Sequence, residues 1–198
     1  MSADAAAEAL LGGALAIVPT DTVYGLAALA DDEAAVRRLY AVKERPATQP
    51  TGLVAGSVEA LLERLPELAG ESERIVQALL PGPYTLVLPN PARRFPWLTG
   101  STPEAIGVRV PAVSGDAQAL LLRVGAVCAS SANARGGPDP RSVDDVPPAI
   151  RALAAATLDV GPLRGEPSTV LDLTAEPRVL REGAVPAAEA LRAVASVL

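Results

Sequence analysis

Short apolar segments bounded by proline or glycine alternate along this chain with amphipathic segments, and this alternation limits the fold more than any other feature. The short segments are typical of strands, and they lie at Ala14–Val18, Leu53–Ala55, Tyr84–Leu88, Ile106–Val110, Ala126–Ala129, Thr169–Leu173 and Val179–Arg181. Apolar residues with helical spacing form stripes that begin at Val36, Val58, Ile75, Ala117 and Leu191. Strands mixed with helices predict an α/β fold with a mixed sheet.

The order of these segments does not fit a simple doubly wound sheet. Strict alternation of strand and helix fails between Pro81 and Arg109 and again after Leu158. The proline-rich stretches Pro89–Pro96 and Pro138–Pro148 are predicted to be loops, because apolar segments resume on both sides of each. A length of 198 residues suits one domain, so we expect a single domain over residues 1–198.

Composition excludes several classes of function. The net charge of -6 disfavours broad, non-specific binding of nucleic acid. The chain has no histidine and one cysteine, Cys128, so a histidine-based triad, a structural zinc site and an internal disulfide are excluded. Residues Met1–Gly13 have no basic region and no long apolar run. We therefore expect no signal peptide, no membrane span and a cytoplasmic location.

A polar cluster follows the first predicted strand. Three hydroxyls and a carboxylate occur within Pro19–Leu26, at the carboxyl end of that strand, where they could face a crevice and bind a small polar ligand. Alternatively, Thr20 or Asp21 only caps backbone amides in a turn. The spacing leaves both possibilities open.

The chain has one lysine, Lys43, among 17 basic residues. Lysine is a compact charge that suits a phosphate, and Lys43 and Arg45 could converge on one polyanion from the end of a helix. The alternative is a favourable charge at a helix C-terminus, which is the commoner arrangement.

Two further strand ends carry polar groups. Arg109 lies within an apolar strand and needs a partner, either a ligand carboxylate or a structural Asp or Glu. Ser131 and Asn133 follow another strand and precede two glycines, which suits either a nucleotide contact loop or an Asn/Gly turn. The segments Pro167–Val170 and Arg181–Gly183 are weaker signals.

Taken in order, these segments resemble the YrdC family. The resemblance rests on a PTDTVYGL start, a KxR pair, a PGPxT turn, a VRxP strand, an SxN element, an STV strand and an RxG end, all between Pro19 and Gly183. It implies a curved mixed sheet, flanked by helices, around a deep, positively lined cavity. It also implies synthesis of threonylcarbamoyl-AMP and pyrophosphate from L-threonine, bicarbonate and ATP, for threonylcarbamoyladenosine modification of tRNA.

The resemblance also implies roles for residues at the matching positions. Those implied for the ATP phosphates, with Mg²⁺ neutralising the remaining charge, are Lys43, Arg45, Ser131, Asn133 and Arg181, of which Lys43 and Arg45 are implied to be catalytic. Those implied for threonine are Thr20, Thr22, Tyr24, Arg109 and Ser168. No protein metal site is expected. The product would pass to a threonylcarbamoyl transferase complex, so contact with tRNA would be indirect.

The chain departs from the family pattern at three places. Gln49–Gly52 replaces a Pro-Leu pair that many relatives have, and Val54 lies where a histidine often occurs. Ala134–Gly136 replaces Leu-Ser-Gly, which could add a charge near the nucleotide. The chain ends soon after the RxG element, as expected of the short, single-domain type. Pro46–Gly52 is the candidate for a mobile loop over the site.

Two other functions stay open at this stage. An RNA-binding module of the same fold is one, although the net charge of -6 and only five aromatic residues disfavour it. A paralogue that binds a nucleotide without making an adenylate is the other, and the altered loop at Gln49–Gly52 favours it.

Overall fold

A computed structural model describes residues 2–198 and contains one mixed sheet of nine strands. In chain order the strands are β1 Ala16–Pro19, β2 Tyr24–Leu29, β3 Gly52–Ala55, β4 Tyr84–Pro89, β5 Ala105–Arg109, β6 Ala126–Ser131, β7 Ala156–Thr157, β8 Thr169–Asp172 and β9 Arg178–Arg181. Their order across the sheet is β7-β1-β2-β6-β3-β5-β4-β8-β9. The pairs β1/β7, β3/β5 and β4/β8 are parallel and the others are antiparallel. All seven predicted strands are therefore confirmed within a mixed sheet.

Strand β2 was not predicted. It forms an antiparallel hairpin with β1, so the polar residues 20–23 are the hairpin turn and not a passage into a helix. Its sequence, Tyr24–Leu29, is mostly alanine, glycine and leucine, and nearly every residue of it is buried. A strand covered on both faces shows no apolar–polar alternation, which is why the periodicity did not indicate it.

The helices cover the two faces of the sheet. They are α1 Ala3–Leu11, α2 Glu33–Val42, α3 Val58–Arg64, α4 Glu71–Leu79, α5 Pro96–Thr99, α6 Gly115–Val124, α7 Pro148–Leu153 and α8 Ala187–Ala195, with a 3-10 helix at Val143–Asp145. Each predicted stripe lies on a helix, and Ser57 caps α3 by accepting a hydrogen bond from the Ala60 N–H at 3.1 Å. The loop prediction for Pro138–Pro148 was wrong where it includes the 3-10 helix.

One face of the sheet is covered along most of its length. Helices α2, α3, α4 and α8 pack there in the larger core, which contains fully buried Leu39, Leu61 and Leu86. Burial of a leucine side chain contributes about 1.5–3 kcal/mol.

The other face is only partly covered. Helices α1 and α6 pack over β1, β2 and the near ends of β6 and β3, in a smaller core that includes Leu10, Leu120 and Val127. The remainder of this face, over β3, β5 and β4, has no helix on it and forms a cavity. No helix within residues 2–198 combines the length and apolarity needed to cross a bilayer.

Candidate active site

The cavity on the open face of the sheet has a volume of about 480 Å³. Its floor consists of strand residues, among them Gly52, Gly107 and Ala129, whereas its rim comes from the β1–β2 turn, the loop before β3 and the segments that flank β6, β8 and β9. The polar strand ends singled out in the sequence therefore meet around one space. This volume suits a small-molecule ligand.

Arg109, at the end of β5, lines the cavity, and its charged partner is a structural aspartate, one of the two possibilities that the sequence left open. Its Nη2 forms a buried ion pair with Asp21 Oδ1 and donates to Thr22 Oγ1 at 2.7 Å. Asp21 is fixed in turn by the backbone N–H of Ala112 at 3.1 Å. The Nε of Arg109 is buried without a hydrogen-bond partner among the described residues. The arginine is thus held in place by Asp21 and retains an unused donor.

The hairpin turn brings Thr20 and Thr22 to the site. Thr20 lines the cavity and donates to the Val23 carbonyl at 2.7 Å, while its Oγ1 lies 3.0 Å from that of the fully buried Thr22. Thr20 therefore faces the cavity, and Thr22 supports Arg109 from behind.

Tyr24 lies away from the cavity wall. Its side chain is fully buried, and its hydroxyl lies 3.0 Å from Asp159 Oδ1 and 2.8 Å from the Gly161 carbonyl oxygen. Burial raises the pKa of this phenol, and the Asp159 carboxylate acts in the same direction. The structure thus gives Tyr24 a packing position behind the hairpin, in contrast to the pocket-lining role that the resemblance implied.

Ser168 and Arg181 come together across β8 and β9. Ser168 Oγ is 2.8 Å from Thr85 Oγ1, and Arg181 Nη2 donates to the Ser168 carbonyl at 2.8 Å. Burial lowers the pKa of Arg181, and the positive charge of Arg109 lowers it further. Thr85, which was not singled out in the sequence, therefore also lines the cavity and places a hydroxyl beside Ser168.

Lys43 has all three of its ammonium donors occupied by the protein. Its Nζ donates to the Ser131 carbonyl at 2.7 Å, to Asn133 Oδ1 at 2.9 Å and to the Asn133 carbonyl. An ammonium has three hydrogens. Lys43, 7% exposed, therefore braces the loop at 131–133, and any attraction it exerts on a phosphate is that of a nearby charge.

Asp139 is an acidic residue of the cavity lining that the sequence patterns did not indicate. Its Oδ1 accepts a hydrogen bond from Ser131 Oγ and lies 3.4 Å from Asn133 Nδ2, while the Asn133 amide also donates to the Gly137 carbonyl at 2.7 Å. Burial lowers the pKa of Lys43, and Arg45 lowers it further, whereas Asp139 acts in the opposite direction. Asp139 thus counterbalances the basic residues around it.

Arg45 lies in the cavity wall and holds the loop that follows it. Its Nη2 donates to the Pro50 carbonyl, its guanidinium carbon lies 5.6 Å from the Tyr40 ring centroid, and its Nε is buried without a partner among residues 2–198. Stacking on an aromatic ring suits a guanidinium. The loop is also tied down at Gln49, whose carbonyl accepts from the Tyr40 hydroxyl at 2.9 Å, and at Thr48, whose carbonyl accepts from the Ser101 N–H at 3.0 Å.

The departures from the family pattern lie at different distances from the cavity. Val54 lines it and pairs with Arg109 in register, so an apolar side chain stands beside the arginine. Arg135 is exposed on the outside of its loop, where its Nη1 donates to the Glu44 carbonyl at 3.3 Å.

Cysteine chemistry has little basis in this arrangement. Cys128 is fully buried in the larger core, and burial raises its pKa to about 12. Within the described part of the chain, no group of three histidine, cysteine, aspartate or glutamate side chains is placed to hold a metal ion.

These features define an α/β protein whose mixed sheet carries a small-molecule cavity lined by hydroxyls and arginines. The chain belongs to the Sua5/YciO/YrdC family, whose family model, described as "Telomere recombination", matches residues 8–183. The resemblance to the YrdC family and the predicted fold class are therefore confirmed.

Known proteins similar to this chain include threonylcarbamoyl-AMP synthases. The one from Chromohalobacter salexigens is 37% identical over 173 residues, which are 86% of this chain and 91% of the relative. The one from Pyrococcus abyssi is 36% identical over 187 residues, 93% of this chain but 55% of the relative, so the chain spans little more than half of it. The crystal structure of P. abyssi Sua5 complexed with L-threonine matches with a TM-score of 0.84 at 35% identity, over 97% of this chain and 57% of that one.

Proposed function

We propose that this chain is a threonylcarbamoyl-AMP synthase, which uses L-threonine, bicarbonate and ATP to form L-threonylcarbamoyladenylate and pyrophosphate. The observation that carries the proposal is that one cavity is lined by Arg109, which is fixed by Asp21 and has an unused donor, and also by Arg45 and Arg181. A cavity lined by several arginines suits two anionic substrates, the carboxylate of threonine and the phosphates of ATP. The names of the relatives support the same reaction.

Arg109 binds the threonine carboxylate in this proposal. Arginine forms charge-assisted hydrogen bonds with carboxylates. Both Nη2 hydrogens of Arg109 serve Asp21 and Thr22, so the buried donor that has no partner among residues 2–198 is Nε. Asp21 and Thr22 keep the guanidinium oriented, and Thr85 and Ser168 offer hydroxyls to the remainder of the amino acid. Thr20 shapes the cavity wall, because its hydroxyl is bonded to the backbone of the turn.

The ATP phosphates lie among Arg45, Arg181 and the Ser131–Asn133 loop. The two arginines neutralise the charge that moves onto the pyrophosphate as it leaves. Lys43 contributes in two ways: its charge lies behind the loop, and its three hydrogen bonds keep Ser131 and Asn133 in place for the nucleotide. Its catalytic role in the proposal is therefore electrostatic and positional.

Magnesium would enter with ATP and would be held by Asp139. Asp139 Oδ1 is engaged by Ser131, while no hydrogen bond or ion pair to Oδ2 is found among residues 2–198, so an oxygen ligand remains on the cavity wall. Mg²⁺ is commonly bound through one or two carboxylates together with substrate phosphates, which fits a cavity that supplies one. The ion would neutralise phosphate charge in the transition state.

The reaction needs no covalent intermediate with the protein. The threonine amine adds to carbon dioxide derived from bicarbonate and loses a proton to give a carbamate. A carbamate oxygen then attacks the α-phosphorus of ATP, and the bond to the β-phosphate oxygen breaks. Holding the two reactants in line supplies much of the rate, which suits a site of arginines, hydroxyls and amides that offers no reactive thiol.

The wider context is also part of the proposal. Strands drawn from residues 16–181 join one sheet, which supports a single domain over 1–198. The adenylate would be consumed by a threonylcarbamoyl transferase complex in the cytoplasm, and the tRNA would be bound by that complex rather than by this chain, whose net charge is -6.

The test is pyrophosphate release by the pure protein with ATP, magnesium, threonine and bicarbonate. We expect release that requires both threonine and bicarbonate, and loss of most of that release in Arg45→Ala. Lys43→Met should lose activity because the loop at 131–133 is no longer held in place. The thermal stability of this variant is measured against that of the wild type. ATP binding without turnover would instead indicate the nucleotide-binding paralogue, and a salt-dependent shift of tRNA in a gel would indicate the RNA-binding module.

A further inference from the structure

The floor of the cavity contains two paired glycines that the protein itself does not require. Gly52 of β3 and Gly107 of β5 are partners in the parallel ladder. Neither has a positive φ, and a Cβ added to Gly52 would come no closer than 3.7 Å to any atom, while one added to Gly107 would come no closer than 3.6 Å. Both are ordinary van der Waals distances, so alanine would fit the fold at either position.

Other glycines in the chain differ from this pair. A Cβ on Gly56 would lie 2.7 Å from the Leu122 nitrogen, and one on Gly183 would lie 2.1 Å from the Pro167 carbonyl oxygen, so packing explains both. Glycine inside a strand weakens the strand and often marks a place where a ligand approaches the backbone closely. Since packing and backbone conformation both permit alanine at 52 and 107, a ligand is the remaining reason for glycine there.

The register of the sheet shows where these glycines lie in the cavity. Gly52 pairs with Gly107 on one side and with Ala129 on the other, so two glycines and an alanine of three neighbouring strands form one row. Arg109 lies two residues from this row along β5, and Ser131 lies two residues from it along β6. Two residues of a strand span about 6.7 Å.

The row of small residues therefore lies between the proposed site of the threonine carboxylate and the proposed site of the ATP phosphates. Because β5 and β6 have opposite directions relative to β3, Arg109 and Ser131 lie on opposite sides of the row. Arg109 lines the same cavity, its side chain is 10% exposed and its buried Nε has no partner among residues 2–198, which separately indicates a ligand on the Arg109 side of the row. The atoms between a carboxylate at Arg109 and a phosphate at Ser131 must cross it.

We propose that Gly52 and Gly107 form the surface on which the carbamate of threonine meets the α-phosphate of ATP, and that they are glycines to leave room for that junction. This inference rests on the proposed function, whose substrates define the two ends. An alanine methyl at either position would occupy the space above the floor. One extra methylene in a fitted pocket changes specificity by about 10- to 200-fold.

The experiment compares Gly52→Ala and Gly107→Ala with the wild-type chain. Threonine affinity is measured by calorimetry in the presence of a non-hydrolysable ATP analogue and magnesium, so that both ends of the site are filled. Gly12→Ala is the matched control, because it adds the same methyl outside the cavity at a residue with φ -77°. Thermal unfolding is measured for all four proteins.

We expect both floor variants to unfold at the wild-type temperature or above it and to bind threonine about tenfold or more weakly, with the control unchanged in affinity. Wild-type affinity in both variants would overturn the proposal, and so would a fall in unfolding temperature, which would show that the fold needs these glycines. Pyrophosphate release by the wild type is assayed separately. A wild type that binds both ligands without releasing pyrophosphate would contradict the proposed function, while the affinities would still decide the role of the glycines.

Discussion

The buried ion pair between Arg109 and Asp21 allows folding to be separated from binding. Arg109→Met removes the cation and leaves a carboxylate that is 9% exposed without its counter-charge. Breaking a buried pair from one side costs about 3–5 kcal/mol. Asp21 keeps the Ala112 N–H at 3.1 Å, which compensates part of the loss. We therefore expect the free energy of unfolding to fall by about 3 kcal/mol.

The double variant Asp21→Asn/Arg109→Met should recover much of that stability. Asparagine keeps an oxygen for the Ala112 N–H but has no charge to bury, and methionine fills the space of the arginine stem. Residues in direct contact couple by about 0.5–3 kcal/mol, and a fully desolvated pair belongs at the upper end. We expect the double variant to be about 2 kcal/mol more stable than Arg109→Met alone.

Binding should not recover with stability. A hydrogen bond to a charged group contributes about 1.5–3 kcal/mol, so loss of the guanidinium should weaken threonine binding by roughly 10- to 150-fold in both variants. Urea denaturation gives the stabilities, and calorimetry gives the affinities. Threonine binding restored in the double variant would refute the assignment of Arg109 to the carboxylate. A double variant as unstable as the single one would refute the argument from the buried charge.

Three further predictions follow from the polar network and the core. Asp139→Asn removes a charge that raises the pKa of Lys43. The Lys43 ammonium should therefore lose its proton at a lower pH than in the wild type, and the ATP affinity measured by calorimetry should fall at a lower pH as the pH rises toward the ordinary lysine value of 10.5. An unshifted profile of affinity against pH would contradict the coupling. Tyr24→Phe removes the hydroxyl contacts with Asp159 and Gly161 and should cost about 1–2 kcal/mol in urea denaturation without changing threonine affinity, whereas weakened binding would restore the pocket role of Tyr24. Cys128, buried with a pKa of about 12, should react with iodoacetamide only when urea unfolds the chain, and rapid labelling of the native protein would contradict its burial.

The sequence predicted the fold where side chains differ between the two faces of an element. The stripe that begins at Val36 has exposed residues on its other side, and α2 follows from it. Strand β2 escaped detection because a buried run of alanine, glycine and leucine has almost no polar contrast to show a period. Helix α1 was also missed, because its buried face consists mainly of alanine, which gives a weak apolar stripe. The sheet order could not be predicted either, since it depends on pairs such as β1 with β7 that are far apart in sequence.

The candidate site was predictable as a set of strand ends but not as a set of contacts. Thr20, Arg109 and Ser131 each follow or end an apolar run, and the structure brings all three to one cavity. Asp139 lies in a proline- and glycine-rich segment with no periodicity, so no pattern distinguished it from an ordinary loop residue. Whether Lys43 would touch a ligand or the protein depends on three acceptors about 90 residues away, which only the folded chain brings together.

The order of the strands determines how this protein acquires its site. The cavity draws residues from Thr20 to Arg181, and its floor joins β3, β5 and β6 across long stretches of intervening chain. Contacts of such sequence separation form slowly, because the loops between them must close first. A fragment that lacks one of these strands would lack part of the cavity, which is completed only as the sheet closes. A ligand bound there would oppose the opening of the strands that line the cavity, so bound substrate would add to the stability of the folded chain.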